Sequence, residues 1–203
     1  MNNKKKFVII APLILIAVMY PVFQILAGAF EGNWRIGWYL GLVIYWLIWG
    51  AAFPLLMIGK ESIRRIIQPH KLNTKIFFLV MFPVLMASLY RFIPGMGYQK
   101  PSVWIFLLIL STTFGNGFFE EVLWRGVYME LFPDSTMFRI IWPSFWFAIW
   151  HYVPGSVHPD GNVVALIIGA GAFGLYLSFL AKKTNTLWWS IVAHTLGGII
   201  MIG

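Results

Sequence analysis

The 203-residue chain is 60% hydrophobic and only 11% charged, with a mean hydropathy of +0.78 and a formal net charge of +8. That balance excludes an ordinary water-soluble domain and predicts a polytopic membrane protein. The absence of cysteine excludes disulfides, a thiolate nucleophile and any Cys-based metal site.

Apolar runs long enough to cross about 30 Å of hydrocarbon occur in seven places. They cover residues 7–30, 36–59, 76–95, 103–132, 137–153, 161–181 and 186–203, the fifth and last being short. The first follows Lys4, Lys5 and Lys6 and could be read as a signal peptide ending at Ala27-Gly28-Ala29, but its apolar core is too long, so a retained anchor is expected. After the second run, "KESIRRIIQPHK" sets Glu61 and Arg65 at i,i+4 and Ile63, Ile66 and Ile67 on one side, predicting a short helix on the membrane surface. In the sixth, "IIGAGAFG" spaces Ala170 and Gly174 for close helix packing. Trp188 and Trp189 open the seventh beside Lys182 and Lys183, as an aromatic belt does. The expected fold class is all-α: a transmembrane bundle of about seven spans, one domain over residues 1–203, with no visible repeat.

The positive charge is arranged for topology rather than for nucleic acid. With the N-terminus inside, Lys4, Lys5, Lys6, Lys60, Arg64, Arg65, Lys71, Lys75, Arg139, Lys182 and Lys183 are cytoplasmic, against Arg35, Arg91 and Lys100 outside. Eleven against three predicts a multi-pass protein with a cytoplasmic N-terminus and an external C-terminus. Membrane lipids are expected partners of this basic face.

Only seven acidic side chains occur in the chain, and two of them, Glu120 and Glu121, are adjacent inside the fourth run. An ionisable residue at membrane depth is a functional candidate by default. His151 and His194 interrupt two further apolar helices. Counting residues from the cytoplasmic ends puts Glu120 about 18 Å deep, His151 about 21 Å and His194 about 14 Å, one shared layer. At 100° per residue Glu121 and Arg125 lie about 40° apart and Glu120 and Arg125 about 140° apart. Arg125 is therefore expected to neutralise Glu121. Glu120 is left free on a polar stripe with Thr113 and Asn116, facing a hydrated cavity. Gly115-Asn116-Gly117 is expected to loosen the helix there, which a membrane tolerates where backbone lines a cavity.

Glu120-Glu121-Val-Leu-Trp-Arg125 and Phe147-Ala-Ile-Trp-His151 resemble the EExxxR and FxxxH motifs of the CPBP intramembrane proteases. That family includes the type II CAAX prenyl endopeptidases and bacteriocin-processing or immunity proteins. His194 falls where the family has a third motif, usually HxxxN, and the resemblance covers roughly residues 103–200 as a catalytic core. It implies a conical intramembrane cavity, a glutamate-dependent peptidase acting on a membrane-associated or lipidated peptide or membrane protein, and a place in a bacterial plasma membrane. The catalytic residues it implies are Glu120, His151 and His194, supported by Glu121, Arg125, Asn116 and Phe147. The family's Asn is Gly198 here, which removes a donor for the oxyanion.

No cofactor is expected. Two alternatives stand beside this reading. A glutamate and two histidines, Glu120, His151 and His194, also form a zinc ligand set in kind, although no HExxH is present. A non-catalytic membrane binding or immunity protein could retain the same cluster, and Gly198 favours that reading.

Overall fold

A computed structural model of the chain describes residues 2–90, 102–158 and 161–200. Arg91, Lys100 and Asp160, and with them two of the three external cations counted above, lie outside the described residues. Among the described residues every regular element is helical. Seven helices follow one another: α1 Asn3–Ala29, α2 Trp34–Ile66, α3 Thr74–Tyr90, α4 Val103–Leu131, α5 over residues 137–155, α6 Val163–Thr184 and α7 Trp188–Ile200. Four of them, α1, α2, α4 and α6, are long and apolar enough to cross a bilayer.

Helix α1 illustrates why these sequences form membrane helices. Val8, Ala11, Leu15, Met19 and Phe23 recur at helical spacing and are buried, while Ile10, Leu13, Val18 and Ile25 on the other side are just as apolar and exposed. A helix apolar all round, with one face packed on protein, is suited to lipid on the other. Pro12 and Pro21 sit within it, as membrane helices allow. The α1 stripe joins Tyr45, Trp49, Trp124, Phe147 and Trp150 in one core. The N-terminal run is thus an integral wall of the bundle.

Contacts distinguish the two ends of the bundle. At one end Lys4 reaches the carbonyls of Leu56 and Met57, Arg65 pairs with Glu130, and the Leu187 N–H donates to Ile66 O at 2.7 Å. All eleven cations assigned to one side of the membrane lie on helix ends or links at this end. At the other end Gln24 donates to Ser156 Oγ at 2.8 Å, Tyr20 stacks on Tyr152, and Trp34 meets His158 edge-on.

The link after the second run departs from expectation. Helix α2 continues to Ile66, bending at Gly59, whose φ of 80° only glycine adopts without strain. Arg65 pairs with Glu130 and Ser62, not with Glu61. Ile66 is buried against Val122, Met129, Ala181 and Leu187. This arm docks on protein, because α4 and the start of α7 offer it an apolar seat and two hydrogen-bonding partners, Leu187 N–H and Thr186 Oγ1.

Candidate active site

The middle of α4 carries the site on widened helical turns. Asn116–Glu120 and Val122–Gly126 are π-helical, the loosening expected from Gly115-Asn116-Gly117. Such turns in long helices recur at functional sites. Gly117 also brings α4 against α7, since a Cβ there would sit 2.0 Å from Thr195 Oγ1. Small residues at this crossing let two membrane helices approach closely.

Glu121 is fully buried and bonded twice through one oxygen. Its Oε1 lies 3.0 Å from Arg125 Nη1 and 2.9 Å from His194 Nδ1. Arg125, itself 0% exposed, is held from three more directions. Its Nη2 donates to Gly174 O at 3.1 Å, its Nε to Ser178 Oγ at 3.4 Å, and its guanidinium lies 4.3 Å from the centre of the Phe147 ring. The i,i+4 pairing expected from helix angles is present. Gly174 does more than pack: a side chain there would meet Phe147 at 2.9 Å and Arg125 at 3.1 Å.

Glu120 has a different environment. One oxygen accepts Trp150 Nε1–H at 3.2 Å; the other, Oε2, is buried without a hydrogen-bond partner among the described residues and lies 3.8 Å from His194 Nε2. Glu120 borders a cavity of about 550 Å³ together with Asn116, Trp150, His151 and Gly198. His151 Nδ1 donates to Phe147 O at 2.7 Å, because a carbonyl can only accept. Neutral His151 therefore keeps its lone pair on Nε2. The same logic holds for His194, whose Nδ1–H donates to the Glu121 carboxylate and whose Nε2 is turned toward Glu120.

The residues singled out from sequence come together here, with three differences. Thr113 does not join the polar stripe, since its hydroxyl bonds back to Ile109 O at 2.8 Å. Asn116 borders the cavity but its Oδ1 accepts Trp46 Nε1–H at 2.9 Å, leaving only its amide N–H groups free to donate. At Gly198 a Cβ would lie 2.6 Å from Thr113 Cγ2, so this glycine fits a close contact between α4 and α7. Sequence reasoning missed Trp150, Trp46 and Tyr45. Trp150 stacks on Tyr45 with ring centres 4.1 Å apart while it donates to Glu120, and Tyr45 in turn accepts Trp124 Nε1–H. Trp150 immediately precedes His151 in FxxxH, but nothing in the motif shows which way its N–H points.

A zinc ion needs three or more donors close around one point. Both histidines have Nε2 free of other partners, yet among the described residues no group of three His, Asp or Glu side chains is arranged to hold one metal ion.

Residues 102–200 match the family model of the type II CAAX prenyl endopeptidase Rce1-like proteins. The C-terminal half of the chain is an Rce1-like domain. Neither the curated proteins nor the solved structures give a match. The matched stretch contains both glutamates, Arg125 and both histidines, and coincides with the stretch over which the motifs resemble the CPBP proteases. With its apolar helices, the chain has the character of a membrane protein, and its C-terminal part is similar to a protease family. The wall of the cavity formed by Trp38 and Leu42 lies in α2, before the Rce1-like domain begins.

Proposed function

We propose that the protein is an intramembrane, glutamate-dependent peptidase that hydrolyses a peptide bond of a membrane-associated substrate, with Glu120 as general base. The observation that carries this reading is the unpartnered Glu120 Oε2, buried at a cavity shared with His151 and 3.8 Å from His194 Nε2. Glu121 Oε2 is also buried without a hydrogen-bond partner among the described residues, so what sets Glu120 apart is its place: it borders the cavity and is bonded only to Trp150, whereas Glu121 lies off the cavity against Arg125 and His194.

The two histidines differ in what their Nε2 sides face, the cavity for His151 and Glu120 for His194. Neutral His151 presents the Nε2 lone pair to the cavity and would orient a water by accepting one of its protons in a hydrogen bond. Glu120 Oε2 takes the other proton as the water oxygen bonds to the substrate carbonyl carbon. As an imidazolium, His194 would face a carboxylate at each nitrogen, and its Nε2–H supplies the donor that the tetrahedral oxyanion needs. Collapse breaks the C–N bond, and the proton on Glu120 passes to the leaving amine. Glu121 and Arg125 position His194 rather than touch substrate. The N-terminus is cytoplasmic, no cofactor takes part, and residues 1–203 act as one domain with the catalytic core at about 103–200.

The test is turnover of a fluorogenic peptide in proteoliposomes, with and without chelator. Hydrolysis that survives chelation and disappears in Glu120→Gln supports the proposal. Specific binding without hydrolysis would favour a non-catalytic binding or immunity protein, and stoichiometric zinc lost together with activity would favour the metal alternative.

A further inference from the structure

Gly115 makes room for an indole. A Cβ there would lie 2.5 Å from Trp46 Cζ2, so the bare backbone of α4 lets the Trp46 ring of α2 lie against it. The ring is buried and stacks on Phe119, with 6.1 Å between centres. Held there, Trp46 Nε1–H reaches Asn116 Oδ1 at 2.9 Å. An indole nitrogen can only donate, and this fixes the amide. Oδ1 faces Trp46, and the Nδ2 branch, a donor, is what Asn116 has left for the cavity it borders.

The place of that amide follows from how α4 and α7 pass each other. Their close approaches come in order: Thr113 at Gly198, Gly117 at Thr195, and Glu120 at His194. The two helices therefore run antiparallel here, and Asn116 lies between the first contact and the last. It borders the cavity together with Glu120 and Gly198. Trp150 Nε1–H is committed to Glu120, and position 198 has no side chain, which leaves the Asn116 amide as a donor on this wall. We infer that Asn116 is a second catalytic donor to the oxyanion beside His194, and that Trp46 is the positioning residue that aims it. That there is an oxyanion to meet rests on the peptidase reading. Such an oxygen can accept more than one hydrogen bond, and a donor already in place needs no reorganisation as the charge grows. The amide donates whatever the protonation state of His194. Trp46 lies in α2, so the group that orients this donor comes from outside the Rce1-like domain.

The test is a double-variant cycle on turnover of the fluorogenic peptide in proteoliposomes, with melting temperature followed alongside. Asn116→Ala is expected to lower kcat about 10²-fold at unchanged KM, as loss of one oxyanion donor does. Trp46→Phe keeps a ring on Phe119 but loses the N–H, and kcat should fall about tenfold, again at unchanged KM. Trp46→Phe combined with Asn116→Ala should be no slower than Asn116→Ala alone, since Trp46 acts through the amide. The combination also removes both bonding partners together, so it takes the place of Asn116→Ala if that variant melts early. Binding of a peptidyl trifluoromethyl ketone, which adds water to give a tetrahedral carbon, is a readout that needs no turnover. Asn116→Ala is expected to weaken it in step with kcat. Unchanged kcat in Asn116→Ala overturns the inference, as does a loss confined to KM. An equal effect of Trp46→Phe with and without Asn116 overturns the positioning role. A wild type that binds the ketone through Asn116 and hydrolyses nothing would keep the donor and remove the peptidase reading; a wild type that does neither removes both.

Discussion

Glu121 Oε1 serves Arg125 and His194 together, whereas Glu120 serves one indole and borders the cavity. Glu120→Gln is therefore expected to abolish turnover, a loss of roughly 10²-fold or more for a general base, with an unchanged melting temperature in detergent. Glu121→Gln removes the partner of a fully buried arginine, which costs about 3–5 kcal/mol, so low yield or early melting is expected. A reversal of these two phenotypes would overturn the assignment. Trp150→Phe keeps a ring on Tyr45 but loses the bond to Glu120, about 1.5 kcal/mol, and turnover should fall about tenfold at similar stability. Gly198→Asn is expected to lower the melting temperature, without raising turnover, through its clash with Thr113 Cγ2; Thr113→Ser, which removes that methyl, should recover stability. The Glu121–Arg125 pair was legible because i,i+4 spacing is local. The partners of Trp150, Trp46 and Glu130 were not, since each is chosen by a helix 30 or more residues away.

Among elements, the crossing of α4 and α7 brings Glu120 to His194. Gly117→Ala would force these helices apart at Thr195, an overpacking of about 1–3 kcal/mol. Reduced melting temperature and reduced turnover are both expected, with partial recovery by Thr195→Ala; unchanged values of both would show that the crossing tolerates a methyl group. All seven helices were visible as apolar runs, because a span must be long and nearly uncharged. The reach of α2 to Ile66 was hidden for the same reason: past Gly59 the segment is charged on one side, and hydropathy cannot tell a surface helix from an arm seated on protein.

For the whole molecule, the first two helices are as much part of the site as the motifs. Trp150 rests on Tyr45 and Phe23, and Trp38 and Leu42 wall the cavity, although all four of these partners precede the Rce1-like domain. Residues 102–200 expressed alone are expected to give no monodisperse protein, and co-expression of residues 1–90 should restore it; size-exclusion chromatography in detergent checks both. A folded, active fragment would make the N-terminal helices dispensable. The 3.8 Å between Glu120 Oε2 and His194 Nε2 also sets how the reaction responds to an electric field. In the proposed step the negative charge leaves the carboxylate as the oxyanion forms beside His194, so one charge moves a few ångströms and none is created. A full crossing is worth about 2.3 kcal/mol per 100 mV, so a shift over roughly a tenth of a 30 Å core changes the barrier by only about 0.2 kcal/mol. Turnover should therefore be the same in energised and de-energised membranes, and the enzyme would keep working when the transmembrane voltage collapses.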